Sequence, residues 1–161
     1  MQHDLFLRDA SPRAYIANED AILAQAEHIL RRRLERQGSL QSPTDSANFF
    51  IAKLAGLDHE EFHVLFLDNR HRILAVEMLS RGTIDGAEVY PREVAKMALR
   101  FNSAAVVLSH NHPSGSTEPS AADRAVTLRI KDALALLEIR VLDHIVVGGT
   151  GYCSLAARGW I

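Results

Sequence analysis

The feature that most constrains the fold is the apolar run at residues 104–108 together with the pair of histidines directly behind it. Ala104, Ala105, Val106, Val107 and Leu108 form a short run, rich in small and β-branched residues and bounded by polar ones, which reads as a buried strand. Next come Ser109, His110, Asn111, His112 and Pro113, then the turn residues Ser114 and Gly115, then an amphipathic stretch behind Ser120 and Asp123. In an extended chain, residues two apart point to the same side. His110 and His112 therefore leave the strand end facing one way, with Asn111 facing the other. Pro113 removes a backbone donor and helps end the ladder.

Two imidazoles and the Asp123 carboxylate make a borderline-to-hard N/N/O donor set. Three protein ligands leave the fourth tetrahedral position for water, which is the arrangement of catalytic zinc. A structural reading stands beside this one. A His-x-His pair can simply sit on a surface, and Ser120 with Asp123 three residues later resembles a capping box at a helix start. That helix is expected to bury Ala125, Leu128, Ala133, Leu136 and Leu137 on one face. Capping accounts neither for paired histidines aimed off a strand nor for a turn that brings the helix start back towards them.

The remaining pattern alternates strands and helices. Residues 1–17 read as a loose arm, and 18–36 as an amphipathic helix with Asn18 as its cap and Ile22, Ala26, Ile29, Leu30 and Leu34 on one face. Gly38 and residues 39–46 read as a linker, in which Pro43 and Asp45 lead into a helix ending near Gly56. Strands are expected at 61–68 and 73–79 around a turn at 68–71, and a helix at 91–101 opens on Pro91. After the histidine strand come a helix at 121–137 and strands at 140–147 and 151–155. This order predicts a three-layer α/β domain with a mixed β-sheet flanked by helices. At 161 residues the chain can bury a real core. The single cysteine, Cys153, excludes an intramolecular disulfide and a cysteine-based zinc knuckle, and reads as a small buried hydrophobe. No apolar stretch reaches membrane-spanning length and no charged-then-apolar leader opens the chain, so no membrane association and a cytoplasmic location are expected.

The spacing of His110, His112, Ser120 and Asp123 matches the JAMM motif of the MPN+ metalloproteases. More narrowly, the sequence resembles the RadC branch. The resemblance is carried by Glu60, Glu61, Phe62 and His63 with the apolar run behind them, by Arg81 to Ile84, by Tyr90 to Val94, by residues 109–115 and by Arg140 to Gly148. It covers roughly residues 40–161, about three quarters of the chain. It divides the sequence into an N-terminal arm and helix, 1–40, and an MPN domain, 41–161.

The resemblance implies the MPN, or cytidine-deaminase-like, sandwich, and a zinc ion on His110, His112 and Asp123. It also implies a glutamate two residues before the strand's phenylalanine as general acid/base, which is Glu60. Side-chain alternation does not choose between Glu60 and Glu61, because both faces of that strand are largely apolar. Ser120 is, by resemblance, a hydrogen-bond donor to the oxyanion of an amide-hydrolysis intermediate, and on its own residues equally an N-cap. The implied activity is zinc-dependent hydrolysis of a peptide or isopeptide bond in an unidentified protein or peptide. His63, His144 and Asp143 read first as core side chains and second as supports for the ligands. His3, His28, His59 and His71 read as exposed or incidental.

The alternative reading is a DNA-repair-associated module that binds DNA or acts as a metal-dependent nuclease. Full-length RadC proteins usually carry an N-terminal helix-hairpin-helix region, and this sequence resembles the short forms that lack it. Net charge is −2, and the one basic cluster is Arg31, Arg32, Arg33 and Arg36. At about 100° per residue only Arg32 and Arg36 share a helix face. Non-specific DNA affinity needs several aligned cations releasing counterions. Fluorescence anisotropy of labelled DNA should therefore show binding no tighter than that of a generic neutral protein, with a shallow salt slope. Sub-micromolar binding at about 150 mM salt, lost on replacing Arg32 and Arg36 by Ala, would favour the DNA module.

Overall fold

The computed structural model of the protein describes residues 12–37, 40, 42–82 and 88–161. Residues 1–11 of the expected arm, with His3, lie outside the described residues, as do Gly38, Ser39 and Gln41 of the expected linker and the motif residues Thr83 and Ile84.

The first helix, α1, spans Pro12–Gln37, so it starts before the expected position and Asn18 lies inside it rather than capping it. Pro12 suits a first helical turn, where its missing N–H costs nothing. Only part of the expected apolar face is used. Ile22 is 48% exposed, whereas Leu30 packs on the core. Helix α2, Pro43–Leu54, comes soon after, which shortens the expected linker. Ser42 stands at its N-cap, Pro43 is in its first turn, and the Asp45 carboxylate accepts the Ser42 N–H at 3.2 Å. These three residues start a helix rather than prolong a loop. Arg31 is paired with Glu27 and lies 5.8 Å from the Phe49 ring, so it is partly committed to α1 and α2.

Among the described residues the sheet has five strands in the order β2-β1-β3-β4-β5. They are β1 Glu61–Leu67, β2 Ile73–Arg81, β3 Ala105–Asn111, β4 Arg140–Gly148 and β5 Gly151–Ser154. Only β3 and β4 are parallel, joined by the crossover helix α4, Ala121–Ala135. The pairs β1–β2, β1–β3 and β4–β5 are antiparallel, and helix α3, Pro91–Arg100, leads into β3.

Side-chain alternation sorts the core into two layers. Leu65, Leu67, Ala105, Val107, Ile145 and Val147 meet Phe49, Phe50 and Leu54 of α2. Phe62, Val64, Phe66, Val106 and Leu108 meet Val94 and Ala98 of α3 and Ile130 and Leu134 of α4. The molecule is therefore the three-layer MPN-type sandwich expected, with a mixed sheet covered on both faces. Cys153 is buried against Val146 and Leu155, as expected of a small hydrophobe, and burial pushes its thiol pKa up.

The expected apolar face of α4 needs correcting. Leu136 is 86% exposed, and Leu128 and Leu137 are exposed too. The buried residues are Thr127, Ile130 and Leu134. With Asp123 they occupy the spacing i, i+4, i+7, i+11 of a single helical stripe. The phase was hidden because Thr127 counts as polar in an apolar pattern. It matters for the site, because the stripe that packs on the sheet delivers Asp123 and Thr127 to the end of β3. Among the described residues, no helix is long and apolar enough to cross a membrane.

Candidate metal centre

The strand β3 runs through Asn111, between two partners that fix its end. Phe62 of β1 lies opposite His110, and Val146 of β4 is the parallel partner. The His112 N–H continues the ladder by donating to the Val147 carbonyl at 2.8 Å. The chain then reverses, with the Gly115 N–H donating to the His112 carbonyl at 2.9 Å and Gly115 at φ +82°, a left-handed angle that glycine adopts without strain.

This turn brings the start of α4 back over the histidines. His110 Nε2 and His112 Nε2 lie 3.0 Å apart. Asp123 Oδ1 is 3.2 Å from His110 Nε2, and Asp123 Oδ2 is 3.3 Å from His112 Nε2. His110 is fully buried, while His112 and Asp123 are partly open. The cluster can hold a metal ion.

The chemistry of these atoms fits a cation. His112 Nδ1 lies 3.0 Å from the Ser116 carbonyl, which can only accept, so that nitrogen carries the proton. In the neutral ring Nε2 then presents a lone pair towards Asp123. His110 likewise turns Nδ1 away, onto His144, and Nε2 inwards. Electron pairs of two rings and a carboxylate thus converge, and something positive must lie among them. Without a metal it is a proton. The Asp123 hydrogen bond raises the His112 pKa despite partial burial, and the charge of Glu60 adds to the effect. Burial would raise the Asp123 carboxyl, but the two histidines beside it, His110 and His112, outweigh it and hold it well below the usual carboxylate range.

Asp123 also keeps its structural role. Its Oδ2 accepts the Ser120 N–H at 2.7 Å, and its own N–H donates to Ser120 Oγ at 3.0 Å. Asp123 therefore closes the capping box and faces the two histidines at the same time, so the cap does not exclude a metal-binding role. Ser120 is exposed at the helix start. Its hydroxyl takes the Asp123 N–H on a lone pair and retains its own hydrogen.

Glu60 and Glu61 separate clearly. The Glu61 carboxylate bridges His59 Nε2 and His63 Nε2, each at 2.8 Å. Burial would raise its pKa, but these two bonds lower it below the usual value. Glu60 is half-buried on the other side of the chain, where its charge reaches His112. Asn111 grips the backbone on both sides of Glu60. Its Oδ1 accepts the Glu61 N–H and its Nδ2 donates to the His59 carbonyl, both at 2.9 Å. The Glu60 carbonyl in turn accepts the Gly82 N–H at 2.8 Å.

The other histidines divide differently from expectation. His59 is not incidental, since it contacts Asp58 and Glu61. His28 is exposed, as expected, whereas His71 is half-buried in the β1–β2 turn. His63 and Asp143 support structure. Asp143 accepts from Ser154 Oγ at 2.6 Å and from the Ala156 N–H at 3.0 Å, stapling the C-terminal turn to β4. His144 touches His110 directly at 2.7 Å, and burial, with the neighbouring His110, pushes its pKa well below the ordinary value. Thr127 and the Ser116 carbonyl were not singled out from sequence, because neither carries a motif signal. A cleft of about 310 Å³ opens beside His112, bounded by Leu57, Asp58, Asn111, Gly115 and Gly149.

The model of the RadC-like JAB domain matches residues 40–160. The chain belongs to this family. It is 52% identical over 151 residues to a UPF0758 protein of Vibrio cholerae serotype O1, covering 94% of this chain and 93% of that relative. UPF0758 proteins of Stutzerimonas stutzeri and Ectopseudomonas mendocina are 51% and 52% identical over 148 residues, covering 92% of this chain and 66% of theirs. The RadC-like chain thus spans nearly all of one relative and slightly less than two thirds of the other two.

Proposed function

We propose that the protein is a zinc metallohydrolase that cuts an amide bond, peptide or isopeptide, in a protein or peptide substrate. The observation that carries this is the convergence of His110 Nε2, His112 Nε2 and the Asp123 carboxylate on one point. Those three residues would hold the ion, leaving the exposed side of the cluster open to substrate. When bound, zinc supplies a Lewis acid that lowers the pKa of water to about 7 and polarises a carbonyl.

The protein's own groups supply the rest. Glu60 takes the proton of the attacking water and returns it to the leaving amine, the task of a general base that becomes a general acid. Asn111 holds Glu60 in place by gripping the peptide groups on either side of it. Ser120 Oγ–H, free to donate, points its hydrogen bond at the oxygen that gains charge.

The test begins with the metal. Elemental analysis of the purified protein should find one zinc per chain, and His112→Ala should lose most of it. Full retention of zinc by that variant would remove His112 from the site and with it this reading. Zinc affinity should fall on acidification, because both imidazoles must be neutral to bind. The raised His112 pKa moves that loss to higher pH than an ordinary histidine would give. Screening zinc-loaded protein against peptide and isopeptide libraries then identifies the bond that is cut.

A further inference from the structure

We infer that His144 and Thr127 are positioning residues for the metal, joined in a buried relay that fixes the tautomer of His110 and ties that ligand to Asp123. The inference rests on the metal reading of His110, His112 and Asp123.

The direction of each hydrogen bond is set by the one before it. Thr127 Oγ1 lies 2.5 Å from the Asp123 carbonyl, an atom that only accepts, so the hydroxyl hydrogen is used there. The same oxygen lies 2.5 Å from His144 Nδ1, and with its hydrogen spent it can only accept. His144 Nδ1 must therefore carry a proton. A neutral imidazole has one N–H, so His144 Nε2 presents a lone pair. That lone pair faces His110 Nδ1 at 2.7 Å, which must donate. His110 Nε2 is thereby left as an electron-pair donor towards Asp123 Oδ1.

The inner members of this relay are sealed from water. Thr127, His110 and His144 are each 0–1% exposed. Phe62 completes the enclosure, with its ring near-parallel to His110 at 6.2 Å and edge-on to His144 at 5.5 Å. No water can re-supply a lost bond, so the relay must be satisfied by its own members. Metal-bound histidines generally donate their second nitrogen to a carboxylate, carbonyl or water. Here an imidazole takes that place, and a threonine one helical turn beyond Asp123 sets that imidazole's own tautomer.

The experiment measures Zn²⁺ affinity by competition with a chelator of known strength, alongside melting of the metal-free protein. Thr127→Val keeps the shape and removes the hydroxyl, freeing His144 to adopt either tautomer. It should weaken zinc binding by about 10- to 100-fold, with Thr127→Ser restoring most of the affinity. His144→Leu should lose at least as much, and His144→Gln, which can still accept from His110, should recover part of it. Nitrogen chemical shifts of the zinc-loaded protein should show His144 protonated at Nδ1. A folded Thr127→Val protein with wild-type zinc affinity, or a His144 ring protonated at Nε2, would overturn the relay. If His144→Leu fails to fold, the threonine pair and the nitrogen shifts decide. Retention of zinc by His112→Ala is a different failure, that of the metal reading itself.

Discussion

Glu60→Gln should bind zinc and melt like the parent protein while hydrolysing its amide substrate roughly 10²-fold more slowly or worse. Glutamine keeps the size of glutamate and can hydrogen-bond, but it cannot take a proton, and a positioned general base is worth about 10²- to 10⁴-fold. Glu61→Gln is the informative partner. Its carboxylate is already engaged by His59 and His63, on the opposite side from the metal ligands. That variant should lose stability, because two histidine bonds lose their charged acceptor, yet keep its turnover within a few-fold. The measurement is steady-state hydrolysis with zinc content and melting temperature recorded for both variants. A dead Glu61→Gln beside an active Glu60→Gln would invert the assignment of the two glutamates.

The two glutamates also show where sequence stops being legible. Alternation along β1 places them on opposite faces, but both faces are covered, so hydrophobicity could not say which face holds the chemistry. What separates them is a set of contacts with Asn111, His59 and His63, and Asn111 lies some fifty residues away along the chain. The ligand cluster was easier. The strand period puts His110 and His112 on one side, and the Ser120–Asp123 cap marks where the helix begins, so local rules alone aim three donors at one place. His144 required long-range information, because its contact with His110 depends on the parallel β3–β4 register, including the irregularity at Val106/Val107. Thr127 was passed over for a simpler reason. A threonine scores as polar, and the face expected from the leucines points roughly 140° away around the helix from the stripe that is buried. The start of α1 was misplaced because residues 12–17 show no apolar period, although their helix propensity is adequate.

Gly148→Ala should both destabilise the protein and weaken its hold on zinc, through a single backbone contact. Gly148 ends β4 where the loop from His112 to Ser116 crosses it. A Cβ there would stand 2.4 Å from the Ser116 carbonyl carbon and oxygen and 2.6 Å from the Gly115 oxygen. These are backbone atoms, which cannot swing aside as a long side chain would, so the loop itself must move. Overpacking of this kind costs about 1–3 kcal/mol, and rigid neighbours put the expected cost near the upper figure. At about 2–4 °C per kcal/mol for a chain of this size, melting of the metal-free protein should fall by roughly 6–12 °C. The displaced atom is also the acceptor that fixes the His112 tautomer, since the Ser116 carbonyl takes the Nδ1 proton at 3.0 Å. Losing such a partner typically costs about 10- to 100-fold in metal affinity. Thermal melting and zinc competition on the same sample separate the two effects. A lowered melting temperature with unchanged zinc affinity would mean that the Ser116 carbonyl does not orient His112. Unchanged melting would mean that the loop does not pack on the end of β4.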